Sequence, residues 1–181
     1  MRTMNDTRRQ IVEAALGLVA DRGISATSVD EIAAAAGVAK GSVFYNFGSK
    51  AGLIEEILAE GVARLTAALQ EAAAGLEGRA ALEAMVTALL QQIHAHPDFS
   101  KVIVAESFRT GRLWQDSIRQ VREESMGTFT TVVAQAWPQR DPWLTAAAVF
   151  GATLVTGLEW LAFQPDRSLD EVAAAVLTTL A

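Results

Sequence analysis

The chain has no cysteine, one tyrosine, two histidines and only four prolines in 181 residues. Without cysteine there is no disulfide framework and no thiolate metal site. His94 and His96 stand two apart, so they cannot share a helix face, and no carboxylate cluster flanks them. No metal site is expected. Period-two runs of β-branched and aromatic residues, the mark of half-buried strands, are missing. So are a nucleophile–base pair and a glycine loop following a strand, so the sequence does not read as an enzyme and asks for no cofactor. The polar first ten residues lack the apolar stretch of a secretory signal, and cytoplasmic residence is expected.

Excess positive charge is also scarce. The net charge of −6 argues by itself against a nucleic-acid partner. Its distribution argues otherwise. Residues 1–50 carry six basic and five acidic side chains, a net of +1, and the remainder carries nine against sixteen, a net of −7. A small reading module on an acidic body fits this pattern, because the local field counts for more than the total.

What is present is apolar residues at helical spacing. Half the chain is hydrophobic and alanine is abundant, which predicts an all-α fold of about nine helices. The first runs from about Asp6 to Arg22 and ends at Gly23. The second follows Ser28, whose spacing to Glu31 makes a capping box, and ends at Gly37. The third spans about Lys40 to Phe47, and a long fourth begins near Lys50. The fifth carries Leu82 to Ile93 and stops at Pro97. The sixth covers about Pro97–Phe108, the seventh Leu113–Trp137, the eighth Pro142–Phe163 and the ninth Ser168–Leu180. Two domains are expected, residues 1–49 and 50–181.

Residues 28–50 read SVDEIAAAAGVAKGSVFYNFGSK. Two short helices meet at Ala36-Gly37-Val38, where a tight turn needs the positive φ that Gly37 tolerates. Ala33 and Ala36 are small enough for the crossing, and Ile32, Val38, Val43 and Phe47 can plug the space between. This is the plan of a helix-turn-helix, whose second helix enters the major groove. With Val43 and Phe47 inward, Gly41, Ser42, Phe44 and Tyr45 lie outward, flanked by Lys40 and Asn46. Ser42 and Asn46 can bond base edges or phosphates, Phe44 can press on a thymine methyl, and Lys40 can meet a guanine or a phosphate. Lys50 can hold a phosphate at the next helix N-terminus. An alanine-rich hairpin within a bundle is the alternative. Against it, adjacent Phe44 and Tyr45 cannot both face one core.

Over about residues 7–55 the sequence resembles the DNA-binding domain of the TetR family of repressors. Thr27-Ser28, Ile32-Ala33, Ala36-Gly37-Val38, Gly41, Tyr45, Phe47, Lys50 and Leu53 carry the resemblance, with Ile11, Ala14, Ala15 and Gly23 upstream. It departs at Phe44, where the family often has tyrosine, and at Asn46, where it often has histidine. Both lie on the reading face and bear on the operator sequence. The resemblance implies a double-stranded DNA operator contacted through Thr27, Ser28, Lys40, Gly41, Ser42, Phe44, Tyr45, Asn46 and Lys50.

It also implies a homodimer through the last two long helices, here 142–163 and 168–180, and a pocket for an unknown small-molecule ligand enclosed by the fourth to eighth helices. Met85, Leu89, Phe99, Phe108, Trp114, Met126, Phe129, Phe150, Glu159 and Trp160 are the candidate lining, each also readable as core packing. The eighth helix holds a single charge, Glu159, and is long enough to span a bilayer. Its threonines, its proline bounds and the absence of a basic flank favour burial between a core and a second subunit. The expected function is a DNA-binding regulator, a repressor released from a palindromic operator by its ligand. The alternatives are an all-helical enzyme, an interaction protein or a small-molecule-binding protein that does not bind DNA.

Overall fold

The computed structural model describes residues 4–107 and 115–179. Among these residues the regular structure is nine helices: α1 (Met4–Arg22), α2 (Val29–Ala35), α3 (Lys40–Phe47), α4 (Lys50–Ala73), α5 (Gly78–Ala95), α6 (Pro97–Ser107), α7 (Gln115–Ala136), α8 (Pro142–Phe163) and α9 (Leu169–Thr179).

Their ends follow local chemistry. α1 stops where Gly23 takes φ 82°, its N–H donating to the Val19 carbonyl. The capping box at α2 is formed: the Glu31 N–H donates to the Ser28 hydroxyl at 3.2 Å, and the Ser28 N–H donates to the Glu31 carboxylate at 2.8 Å. A second box opens α9 from Ser168 and Glu171. At α8, Asp141 accepts from the Leu144 N–H at 2.7 Å and Pro142 fills the first turn, where its missing N–H costs nothing. Pro97 likewise opens α6.

The helices gather into two units, Met1–Gly61 with Asp98–Ile118, and Val62–Pro97 with Arg119–Ala181. In the first, α1 packs on α2 and α2 on α3. Ile11, Ala15, Val19, Ile24, Ile32, Val43, Leu53 and Ile54 are buried there. Phe99 of α6 lies over Gly61 of α4, where an added Cβ would stand 2.0 Å from its ring.

In the second unit α5 packs against α8 and α9, and α8 against α9. Met85, Leu89, Phe129, Val149, Trp160 and Val176 belong to one buried cluster. Gly157 lets α8 approach α5 closely, since a Cβ there would come within 2.7 Å of Ile93. The inward stripe of α8 is Ala146, Val149, Thr153, Gly157 and Trp160, and the buried Thr153 hydroxyl is satisfied by the Val149 carbonyl at 2.8 Å. Its other side is uncovered and apolar: Leu144 is 69% exposed, Val155 66% and Phe163 74%.

Candidate nucleic-acid interface

The turn between α2 and α3 closes as its sequence requires. Gly37 takes φ 64°, and the Val38 N–H returns to the Ala33 carbonyl at 3.0 Å. α3 then leaves with Val43 buried inward. Tyr45 is 80% exposed and Phe44 44%, with Gly41 and Lys40 also exposed and Ser42 and Asn46 half-buried beside them. An open depression of about 340 Å³ lies on this side, lined by Gly41, Ser42, Tyr45 and Asn46 together with Thr7 from α1. Thr7 carries no signal in the spacing of the motif, because only the packing of α1 brings it there.

The electrostatics of this unit are tempered by pairing. Lys40 holds Asp30 at 2.9 Å, Arg22 holds Glu31 at 3.0 Å and Arg8 pairs with Glu56. The Lys40 and Arg22 pairs are exposed and worth about 0–1 kcal/mol, so a phosphate can displace them, whereas Arg8–Glu56 is partly buried. The N–H and hydroxyl of Ser28 hold the Glu31 carboxyl below the usual carboxylate range, with smaller contributions from the charges of Arg22 and Lys50. Lys50 opens α4, whose first turn is capped by the Ser49 hydroxyl accepting from the Gly52 N–H at 3.0 Å. Gly52 is required: a Cβ would stand 2.4 Å from the Phe47 carbonyl.

Two expected contact residues are placed differently from the rest. Thr27 is 2% exposed, and its hydroxyl donates to the Gly23 carbonyl at 3.0 Å, bracing the turn after α1. Ser28 is exposed, but its hydroxyl serves the capping box. Lys40, Gly41, Ser42, Phe44, Tyr45 and Asn46 all belong to α3, and Lys50 to the start of α4.

The candidate ligand-lining residues fall in several places. Met85, Leu89, Met126, Phe129 and Trp160 are core members of the second unit, and Phe150 packs against them, its ring edge-on to Phe129 at 5.6 Å. Phe99 lies in the first unit, on Gly61. Glu159 is exposed on α8. Phe108 and Trp114 lie outside the described residues. His94 stacks on Trp160 at 4.9 Å, and the Trp160 indole N–H donates to the Arg167 carbonyl at 2.9 Å. No group of three or more metal-ligating side chains occurs among the described residues.

Residues 11–57 match the family model for bacterial regulatory proteins of the tetR family. Over 89 residues the chain is 40% identical to the HTH-type transcriptional repressor KstR2 of Rhodococcus jostii, which covers 49% of this chain and 44% of the repressor. Over 120 residues it is 32% identical to YvkB of Bacillus subtilis, an uncharacterized HTH-type transcriptional regulator, covering 66% and 60% respectively. The chain thus spans about half the length of these curated relatives. Among solved structures, the transcriptional regulator FadR from Bacillus subtilis in complex with stearoyl-CoA superposes with a TM-score of 0.81, covering 95% of this chain and 96% of that one at 18% identity. At that identity the likeness is one of fold. The likeness to the tetR family of bacterial regulatory proteins thus lies in the N-terminal helices, over residues 11–57.

Proposed function

We propose that this chain is a DNA-binding transcriptional regulator that reads a palindromic operator as a homodimer. The observation that carries the reading is the outer face of α3. Tyr45 and Phe44 stand uncovered beside Gly41, Ser42 and Asn46, where a bundle helix would be covered or uniformly charged. Residues 1–49 form the reading domain in this proposal, with Lys50 holding a phosphate at the start of α4. Residues 50–181 form the dimerisation and ligand-binding domain. The apolar outer stripe of α8, with α9, pairs with its copy about a twofold axis, and that axis sets the palindrome. The protein works in the cytoplasm and catalyses no reaction.

Repression released by a small molecule is the form of regulation proposed, in line with the repressor among the relatives. The ligand is apolar, of the acyl or aromatic kind. The stearoyl-CoA held by a protein of the same fold and the apolar side chains of the second unit support this choice. Release requires that the ligand bind more tightly to a conformer that does not fit DNA. A coupling of about 1–3 kcal/mol would weaken operator binding roughly 5- to 150-fold.

Selection from random duplexes tests the core of the proposal. It should return an inverted repeat whose affinity falls steeply with salt, as released counterions demand. Enrichment of no sequence would sink the regulator and leave a small-molecule-binding or interaction protein. Titrating any compound that binds the protein against the operator complex then tests release. Unchanged affinity at saturation rejects that compound as the effector.

A further inference from the structure

Arg8 lies outside the helix-turn-helix, in the second turn of α1, yet three of its contacts meet at α3 and α4. One guanidinium nitrogen donates to the main-chain carbonyl of Asn46 at 2.8 Å. Another pairs with the Glu56 carboxylate of α4. The guanidinium plane also sits over the Phe47 ring, 4.6 Å from its centroid. Asn46 and Phe47 are the last two residues of α3.

The chemistry suits the place. The final carbonyls of a helix have no partner within it, and a cation there both satisfies one and opposes the negative end of the helix dipole. Only arginine presents a flat fork that can donate to a carbonyl and a carboxylate while its face lies on a ring. The restraint reaches the reading residues directly. The Asn46 side-chain amide donates back to the Ser42 carbonyl at 2.7 Å, so the backbone held by Arg8 is the backbone that aims Ser42 and Asn46.

We propose that Arg8, anchored by Glu56, is a positioning residue for operator reading. It fixes the C-terminal end of α3 against α1 and α4, so that Ser42 and Asn46 meet base edges in register. The inference rests on the assignment of α3 as the DNA-reading helix. Base-edge contacts tolerate errors of only about half an ångström and 10–20°. The Arg8 charge is already matched by Glu56, so its role is to set geometry and not to attract phosphate.

Glu56→Gln separates the two roles by sign. Removing an acid close to the reading helix strengthens phosphate attraction, so an electrostatic role predicts tighter operator binding. Positioning predicts binding about tenfold weaker. Arg8→Lys keeps the charge but cannot make the fork and the ring contact together. It should weaken operator binding about tenfold, with affinity for a scrambled duplex within twofold of the parent. Arg8→Ala combined with Glu56→Gln should be no weaker than Arg8→Ala alone. Partial unfolding lowers operator and scrambled affinities by the same factor, so the ratio of the two is the measurement. A circular-dichroism melt confirms that each variant is folded at the assay temperature.

An unchanged ratio in Arg8→Lys, or tighter operator binding in Glu56→Gln, would overturn the proposal. So would a salt slope lowered by about one in Arg8→Ala, which would make Arg8 a phosphate contact. A parent chain that selects no operator overturns the reading of α3 together with this one, and is a different result from a selective parent with indifferent variants.

Discussion

The uncovered faces of α3 and α8 differ in what they offer. On α3 the exposed ring of Tyr45 sits among groups that give and accept hydrogen bonds, Ser42 and Asn46, around an open depression. On α8 the exposed large apolar residues are Trp143, Leu144, Val155 and Phe163, with Glu159 the one charge along the helix. The first face suits a polar partner that is read atom by atom. The second suits an apolar partner such as a second copy of itself. The glycines sharpen the contrast. At Gly52, Gly61 and Gly157 a Cβ would strike a neighbour within the same unit. At Gly41 on α3 and Gly151 on α8 it would meet nothing within 4 Å. A glycine inside a helix costs about 0.5–1 kcal/mol relative to alanine. At Gly41 and Gly151, as at Gly17 and Gly127, no internal neighbour demands that cost.

The largest effect is expected on α8. Val155→Asp would bury a carboxylate in the proposed subunit seam, which costs several kcal/mol. The dimer dissociation constant should rise about a thousandfold, with monomer seen by sedimentation at micromolar concentration and the melt nearly unchanged. A variant that stays dimeric would place the seam elsewhere. On α3, Tyr45→Ala should lower operator affinity about 10- to 100-fold, in the range of one or two lost base contacts. Unfolding should be unaffected and the protein still dimeric. Loss of dimerisation in this variant would erase the distinction between the two faces.

Gly41→Ala is smaller, and its two effects have opposite signs. It should raise stability by about 0.5–1 kcal/mol in denaturant unfolding, by helix propensity alone. It should also weaken operator binding, because a methyl group then occupies the approach. Gains in both would show that nothing comes close to this turn of α3.

The smallest effects concern pH, and they again divide the chain. Burial, and then the charge of Arg64, hold His96 below the ordinary histidine range. Its folded pKa lies under its unfolded one, so its contribution is full above about pH 6.5 and is lost as pH falls through the folded value. Glu31, lowered by Ser28, keeps its contribution above about pH 4.5 and loses it only as pH falls through a folded value lower still. Thermal midpoints between pH 7 and 5 should therefore decline modestly in the parent and less in His96→Gln. Glu31→Gln should follow the parent over that range.

Much of this was legible in the sequence because it was local. The ends of α2 and α9 were written in Ser28–Glu31 and Ser168–Glu171, and the stop of α1 in Gly23. The outward set on α3 followed from the inward positions of Val43 and Phe47. Contacts across tens of residues left no such mark. Nothing near Arg8 announces Asn46 or Glu56, and nothing near Phe99 announces Gly61. Periodicity says which side chains point inward, not whether they meet a ligand or each other. Met85, Leu89 and Phe129 therefore read either as pocket lining or as core, and all three belong to the buried cluster of the second unit. At Ser28 the sequence showed the capping box, and the hydroxyl is bonded to both the N–H and the carboxylate of Glu31.

Tyr45 is the only phenol in the chain, and the chain has no thiol. Reagents selective for tyrosine will therefore modify one place, on the exposed face of α3, the proposed reading helix. Nitration would put a coloured, readily ionised group there without any engineered residue, and its absorbance would report the local potential as DNA arrives. Bound operator should shield that ring from the reagent. The rate of labelling thus becomes a direct footprint of α3 in the native sequence, and a cysteine introduced anywhere else can carry a second, independent label.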